Sequence, residues 1–349
     1  MEENLSSYDY ILPSHLIATK PLYPKHSAKL LVYNKSKDSI IHTTFKEFFN
    51  FIPKDCLIVL NDTKVLKARI YGAKESGAKI ELLYHKALDN GFLVQIKGRV
   101  KIDDILIFPN DLKCKILSLL DNGLRIVEFY QFDKKINKIE LFKILESIGH
   151  IPLPPYIKRS DNQNDVMDYQ SVFALNLGSI AAPTASLHFS DDDMQKIKSL
   201  NHCFVTLHIG AGTFFGVESS NIKEHKMHKE SFFISQDSKN KIDNANKILC
   251  IGTTATRCIE HYARSKTAYN SNKFQSQNGT LSGECDIFLN PFNKPIKTDY
   301  LLTNFHLPKS SLIMLVASFI GLNKTKEIYE IAKKLEYRFY SYGDGMLII

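Results

Sequence analysis

The chain has 349 residues, of which 44% are hydrophobic and 23% charged, enough apolar material for one large domain or two ordinary ones and unlike a disordered or fibrous chain. No apolar run approaches the roughly eighteen residues of a membrane-spanning helix, and the start Met-Glu-Glu-Asn-Leu-Ser-Ser lacks the basic-then-apolar order of a signal peptide. The net charge of +8 suits a polyanionic partner but does not identify one.

The six cysteines, Cys56, Cys114, Cys203, Cys250, Cys258 and Cys285, form no Cys-x-x-Cys pair and sit mostly in apolar runs. They read as small buried hydrophobes in a reducing compartment, so a cytoplasmic protein with neither a zinc site nor an iron–sulfur cluster is expected.

In chain order, Leu12 to Ala18 reads as a turn into a short helix, and Thr44 with Glu47 forms a capping-box pattern opening the amphipathic run Phe45–Ile52. The apolar run Cys56–Leu60 predicts a buried strand ending abruptly in Asn61-Asp62-Thr63. From Ala68 the texture changes. Short runs at Ala78–Tyr84, Phe92–Lys97, Ile105–Phe108, Lys113–Leu120 and Leu124–Tyr130 are separated by Gly, Asn and Asp, which predicts a small all-β sandwich or barrel. This module carries only a slight excess of Lys and Arg, so charge does not mark it as an RNA-binding face.

A helix is expected around Ile136–Ser147, then an extended proline-rich segment, Gly149 to Arg159, and a helix over Val166–Leu177. Gly-Ser-Ile-Ala-Ala-Pro-Thr-Ala-Ser-Leu-His-Phe (178–189) is a small-residue loop carrying a histidine. Ser190 to Asp193 caps the next helix, and the strand Cys203–His208 runs into Gly210-Ala211-Gly212-Thr213. A helix around Ser238–Lys247 and the strand Ile248–Ile251 precede Gly-Thr-Thr-Ala-Thr-Arg (252–257) and another helix. Residues 265–283 are polar and read as a mobile loop. The strand Asp299–Leu302 ends in Thr-Asn-Phe-His-Leu-Pro (303–308), with helices near Ser311–Gly321 and Lys326–Phe339.

The expected fold class is therefore α/β: a large mixed α/β domain, residues 1–67 and 148–349, with a smaller inserted all-β, barrel-like domain at 68–147. Polar residues recur at strand ends, at Asn61-Asp62, His208, Thr253-Thr254 and 303–306. If those strands share a sheet and a direction, these ends meet on one rim, where open α/β sheets bind ligands.

Each motif also has a plainer reading. Gly210 and Gly212 can bring backbone N–H groups close to a ligand or simply make a tight turn, and the third glycine of a dinucleotide fingerprint is missing. His225 and His228 are spaced like metal ligands, but no third ligand stands at motif spacing, so no metal is expected. Thr253 and Thr254 can cap their helix or bind an anion at its N-terminus. Arg257 can join them or pair with Glu260. Thr303 to Pro308 holds more hydrogen-bonding and aromatic groups than a simple connection needs, which favours a site loop.

Taken together these segments resemble one family, the S-adenosylmethionine:tRNA ribosyltransferase-isomerases of the queuosine pathway. The resemblance rests on Tyr8–Pro13, Asn-Asp-Thr-Lys-Val (61–65), Gly-Arg-Val (98–100), His-Ile-Pro-Leu-Pro-Pro-Tyr-Ile-Lys-Arg (150–159) and Tyr-Gln-Ser-Val-Phe-Ala (169–174). It continues through the two histidine-bearing loops, His-x-Met-His-x-Glu (225–230), Gly-Thr-Thr-x-x-Arg (252–257), Thr303–Pro308 and Tyr-Arg-Phe-Tyr-Ser-Tyr-Gly-Asp (337–344). Departures occur at Lys25, Lys29, Ser186, Phe215-Gly216, Gly345 and residues 290–293.

The resemblance implies an enzyme that uses S-adenosylmethionine as a co-substrate donating its ribosyl group, with no tightly bound cofactor. The acceptor would be 7-aminomethyl-7-deazaguanine at a tRNA wobble position, and adenine and methionine would leave. Such chemistry needs a base for the ribose carbon beside the sulfonium, an acid for adenine and a surface for an anticodon loop. His188 and His208 are the first candidates for proton transfer, with His228 and Glu230 second. Asp62 would hold ribose hydroxyls. Thr253, Thr254 and Arg257 would bind the methionine carboxylate. Thr184, Gly210, Gly212, Asn304, His306 and Asp344 would line the pocket, and Lys158, Arg159 and Arg338 would meet tRNA phosphates. A monomer with tRNA as partner and no membrane association is expected. The rivals are an S-adenosylmethionine-dependent RNA methyltransferase, which would release S-adenosylhomocysteine, and a non-catalytic RNA-binding module.

Overall fold

The structure is a computed structural model that describes residues 2–210, 212, 216–217, 219–267, 275–277 and 279–349. These residues pack as two compact units. One comprises Met1–Lys64, Gln170–Asn176 and Ala182–Ile349; the other comprises Val65–Tyr169 and Leu177–Ala181.

The larger unit is built on a sheet of ten strands. Its centre is four parallel strands in the order His202–Leu207, Cys56–Asn61, Lys247–Ile251 and Tyr300–Asn304. Antiparallel strands extend both sides. Glu230–Ile234, Thr280–Cys285 and Gln275–Gln277 follow beyond His202–Leu207. Gly345–Ile348, Lys29–Asn34 and Ser39–Thr44 follow beyond Tyr300–Asn304, with Lys29–Asn34 parallel to Gly345–Ile348.

The central strands read as unbroken apolar runs because both faces are covered. Every residue of Cys56–Asn61 is buried. The helix Thr253–Thr267 packs against the central strands. An aromatic cluster of Phe45, Phe48, Phe173 and Phe189 packs with Ile58, Leu60, Leu249, Ile251 and Leu302. Each such side chain contributes on the order of 1.5–3 kcal/mol when fully buried. The parallel direction brings Asn61, Leu207, Ile251 and Asn304 to the same end of the sheet, so the polar strand ends do share one rim.

The smaller unit is a closed barrel. Its strands run Leu124–Gln131, Gly91–Lys97, Lys79–Leu88, Arg69–Lys74, Ile105–Phe108 and Leu112–Leu119, and the last pairs back to the first. Alternation fills the interior: Phe92, Val94 and Ile96 point in from one strand, Leu112, Cys114 and Ile116 from another. Register shifts at Tyr84/Lys86 and Ile126/Val127 supply curvature that closure needs. The helix Lys138–Ile148, started by an Asn137–Glu140 capping box, adds Leu141, Ile144 and Leu145 to this core.

This unit extends past the expected 68–147 because the segment after the helix stays with it. His150 pairs with Arg69, and Arg159 is clamped by Asp165. The strand Arg69–Lys74 escaped the sequence reading, its apolar content being slight.

Other expectations need correction. Thr44 makes no side-chain cap, and Phe45–Phe51 is a 3₁₀ helix. The expected helix 166–177 is instead Gln163–Asp168, set by an Asn162–Asp165 capping box. Its last helical bond is from the Tyr169 N–H to the Asp165 carbonyl (2.9 Å), and beyond it Ser171 Oγ accepts the Phe173 N–H (3.1 Å), a local bond in place of a helical one. Of the expected mobile loop 265–283, the first residues complete the helix to Thr267, and Gln275–Gln277 pairs with Thr280–Cys285 as a hairpin. Residues 268–274 and 278 lie outside the described residues. The six cysteines are all buried and in no disulfide.

Candidate functional site

The rim of the parallel strands is organised around Asn61. Its Oδ1 accepts the backbone N–H groups of Leu207 (3.1 Å) and Thr63 (3.2 Å), and its Nδ2 donates to the Leu207 carbonyl (3.0 Å) and Thr254 Oγ1 (2.9 Å). One buried side chain thus ties two strand ends to the start of the Thr253–Thr267 helix. The neighbouring Asp62 is also buried. Thr206 donates to its Oδ1 (2.6 Å) and Asn176 to its Oδ2 (3.1 Å), while burial raises its pKa. Its carboxylate therefore anchors the Gln170–Asn176 segment as well as standing at the strand tip.

His208 follows the strand end directly. Its backbone N–H donates to the Ser231 carbonyl (2.9 Å), its Nδ1 lies 2.8 Å from Thr63 Oγ1, and its ring meets the Phe233 ring at a centroid distance of 5.7 Å. Two residues on, the Gly210 N–H donates to Glu230 Oε1 (3.0 Å). Glu230 Oε2 is in turn held by Arg257 Nη1, and Arg257 Nε donates to the Ile287 carbonyl (3.3 Å). At Gly212 a Cβ would come within 2.4 Å of His228 Cδ2, so the histidine ring occupies the space a side chain would need. Ala211 and Thr213 of this loop lie outside the described residues.

The Arg257–Glu260 pairing that spacing allowed does not form. Glu260 is fully buried and accepts the N–H groups of Ile296 (2.8 Å), Lys297 (2.9 Å) and Thr298 (2.7 Å) besides pairing with Arg264. Arg257 instead pairs with Glu230 through Nη1.

The first small-residue loop forms the 3₁₀ turn Thr184–His188. Thr184 donates to Asn304 Oδ1 (2.7 Å), and Asn304 Nδ2 donates to His188 Nε2 (3.3 Å). His188 is buried, stacked on Phe45 at 4.0 Å between centroids, and its pKa falls to about 3 through burial and the nearby positive charges of Arg338 and Lys25. It is therefore neutral near pH 7. Gly252, with φ +91°, opens the next helix beside this turn; a Cβ there would lie 3.7 Å from the Ala185 Cβ.

The rest of the expected pocket lining is partly structural. His306 is a satisfied core histidine, with Nε2 2.7 Å from Thr303 Oγ1, its N–H on Tyr329 and its carbonyl on Tyr10. Burial pushes its pKa down to about 3. Asp344 accepts the N–H groups of Lys29 (2.9 Å) and Arg338 (2.7 Å), closing the loop 338–344. Arg159 makes a two-pronged pair with buried Asp165 (2.6 and 2.7 Å), so its guanidinium belongs to the helix start rather than to a surface contact. Lys158 beside it is exposed.

Three buried polar atoms of the larger unit have no hydrogen-bond partner among the described residues: Arg257 Nη2, Ser186 Oγ and Arg338 Nη1. Arg257 follows the Gly252–Thr254 turn, Ser186 sits in the Thr184–His188 turn and Arg338 in the loop 338–344. Buried polar groups rarely go unpaired except where a ligand, ion or water completes them. No set of three or more potential metal ligands occurs among the described residues.

The model of the queuosine biosynthesis protein family matches residues 5–348. The chain belongs to the queuosine biosynthesis protein family. It is 54% identical over 350 residues to the S-adenosylmethionine:tRNA ribosyltransferase-isomerase of Campylobacter jejuni strain 81-176, covering 99% of this chain and 98% of that protein. The enzyme of the same name from Aliarcobacter butzleri is 55% identical over 348 residues, with the same coverages. Among solved structures, the S-adenosylmethionine tRNA ribosyltransferase of Thermotoga maritima matches with a TM-score of 0.52 and 28% identity, covering 99% of this chain and 100% of that one. Membership in the family carries the role in queuosine biosynthesis that the motifs implied. No helix among the described residues is long and apolar enough to cross a membrane.

Within this queuosine family member, sequence reasoning missed Thr206 and Asn176 and gave Asn61 and Thr63 no individual role. The Asn-Asp-Thr signal was visible, but it drew attention to the acidic residue, whereas the flanking amide and hydroxyl make more of the connections.

Proposed function

We propose that this chain is an S-adenosylmethionine:tRNA ribosyltransferase-isomerase. It transfers and isomerises the ribosyl group of S-adenosylmethionine onto 7-aminomethyl-7-deazaguanine at the tRNA wobble position, giving epoxyqueuosine and releasing adenine and methionine. The observation that carries the reading is the convergence of His208, Gly210, Thr254 and the Glu230–Arg257 pair on one rim of parallel strands.

The electrostatics favour a division of labour between the two first candidates. A base works best with a pKa near the working pH. His188, with a pKa near 3, is far too weak, which supports His208 as the base for the ribose carbon. His188 and Asn304 then act as a neutral hydrogen-bonding wall. His228, exposed beside Gly212, is the candidate acid for departing adenine. Thr253 and the first-turn amides of a 15-residue helix suit the methionine carboxylate. Glu230 and Arg257 hold the Gly210 loop. Lys158 and Arg338 remain the candidate phosphate contacts.

The test is incubation with S-adenosylmethionine and tRNA bearing the deazaguanine, followed by nucleoside digestion and mass spectrometry. An epoxyqueuosine nucleoside supports the reading. A methylated nucleoside would favour the methyltransferase rival, and unaltered tRNA that is nonetheless bound would favour a non-catalytic RNA-binding module.

A further inference from the structure

Asn304 is buried, and its amide decides the state of the ring beside it. Its Nδ2 faces three groups: His188 Nε2 (3.3 Å), the Gly343 carbonyl (3.4 Å) and the Asp344 carbonyl (3.5 Å). The Thr184 hydroxyl on Oδ1 would suit either end of an amide. The two backbone carbonyls would not: they can only accept, so the group turned toward them is the NH2. An NH2 donates and does not accept. A proton on His188 Nε2 would therefore meet N–H groups, and the single proton of a neutral imidazole belongs on Nδ1.

That Nδ1–H has no acceptor among the described residues, where the ring's other contact is its stack on Phe45. The residue keeps 7% of its surface exposed, so it is not sealed. The turn Lys25–Ser27 packs against the turn Thr184–His188, and Asn304 joins the loop 338–344 to it. Arg338 donates through Nη2 to the Lys20 carbonyl, while its Nη1 is buried without a partner. The Asp344 carboxylate is spent on the backbone N–H groups of Lys29 (2.9 Å) and Arg338 (2.7 Å). The positive charges of Arg338 and Lys25 both act on His188. A neutral N–H and a guanidinium N–H thus lack acceptors, with an ammonium group beside them, and a buried donor left unpaired points to a ligand that completes it. Between Asp9 and Asp38 the chain carries Lys20, Lys25, Lys29, Lys35 and Lys37 and no acidic residue, and Tyr23 is 67% exposed. A cationic segment with an exposed aromatic suits a nucleic-acid backbone better than a small carboxylate.

We propose that His188 is a neutral hydrogen-bond donor, through Nδ1–H, to a phosphate oxygen of the tRNA, in a subsite completed by Arg338 Nη1 and the Lys25 ammonium. The inference rests on the reading of tRNA as the substrate and gives His188 a part in holding it. The ring neither takes nor gives a proton. Asn304 sets which nitrogen donates, and the two cations supply the charge that a phosphate answers.

The experiment uses the full-length protein labelled with 15N-histidine, with His188 assigned by the signal lost in His188→Asn. The wild-type spectrum is expected to show the proton on Nδ1, and tRNA carrying the deazaguanine is expected to move that signal with or without S-adenosylmethionine. His188→Phe keeps a flat ring on Phe45 and removes the donor. Its affinity for the same tRNA should fall about 10- to 150-fold, the effect of losing a hydrogen bond to a charged group, with the salt dependence unchanged. His188→Asn, whose Nδ2 can stand in for Nδ1, should recover most of that affinity. Arg338→Met should weaken binding and also reduce the slope of log affinity against log salt by about one. A wild-type proton on Nε2, a signal that answers to S-adenosylmethionine but not to tRNA, or a His188→Phe protein with wild-type affinity for tRNA overturns the proposal. Should His188→Phe fail to fold, the wild-type spectra decide alone. Adenine release by the wild type tests the ribosyl-transfer reading separately; its absence would remove that reading, and the spectra would still decide the phosphate subsite.

Discussion

The buried Glu230–Arg257 pair offers a quantitative test of how the Gly210 loop is held. The two side chains are 4% and 6% exposed, and Glu230 also takes the Gly210 N–H. Glu230→Met removes the carboxylate and leaves a buried guanidinium whose Nη2 already lacks a partner. Breaking a buried pair from one side costs about 3–5 kcal/mol, and the lost Gly210 bond adds about 1 kcal/mol. A total of about 5 kcal/mol corresponds to a fall in Tm of about 10–20 °C for a unit of this size. The double variant Glu230→Met/Arg257→Met removes both charges, and apolar replacement of a buried pair is often neutral, so most of the Tm should return. Calorimetry on the wild type, two single variants and the double variant closes the cycle, with a coupling of at least about 2 kcal/mol expected. Turnover should stay low in the double variant, because the Gly210 anchor is still missing. Additive losses in the two single variants, or a double variant with wild-type turnover, would refute the reasoning.

Burial depresses the pKa of His306 to about 3, below the roughly 6.5 of an unfolded histidine. The unfolded chain therefore takes up a proton that the folded chain refuses, and this contribution to stability is present above pH 6.5 and lost as pH falls below it. Between pH 7.5 and 5.0, His306→Gln should lose about 2 kcal/mol less stability to urea than the wild type; equal losses would contradict the burial. At Gly210 a Cβ meets nothing within 4 Å among the described residues, whereas at Gly212 it meets the His228 ring at 2.4 Å. Gly210→Ala should accordingly keep the wild-type Tm while raising the KM for S-adenosylmethionine, and Gly212→Ala should lower turnover by displacing His228; the reverse pattern of kinetics and melting would count against the loop's role. Lys158→Ala should weaken tRNA binding and reduce the salt dependence of log affinity by about one unit of slope, whereas Arg159→Ala should lower stability through Asp165 with little change in that slope.

Much of the architecture was legible because it depends on local pattern. Apolar runs ending in polar residues marked the four parallel strands and, correctly, their common rim. Alternating runs with regular turn residues marked the barrel. What stayed hidden depends on partners distant in sequence. Thr63 meets His208 and Asn61 meets Thr254 only after the sheet forms. Spacing offered Glu260 to Arg257, but Glu260 is drawn instead to three backbone amides at 296–298, and Arg257 to Glu230. His188 and His208 looked alike in sequence. Burial against Phe45 separates them, since desolvation makes one ring a poor base. His306 shows how a polar motif at a strand end can be turned inward and satisfied by its neighbours.

The central claim is ribosyl transfer from S-adenosylmethionine, and the small-molecule product tests it most directly. The purified protein is mixed with S-adenosylmethionine and tRNA carrying 7-aminomethyl-7-deazaguanine, and the supernatant is resolved by chromatography. Adenine should appear in step with modified tRNA and depend on His208. Release of S-adenosylhomocysteine, or no adenine from folded protein and competent tRNA, would contradict the account.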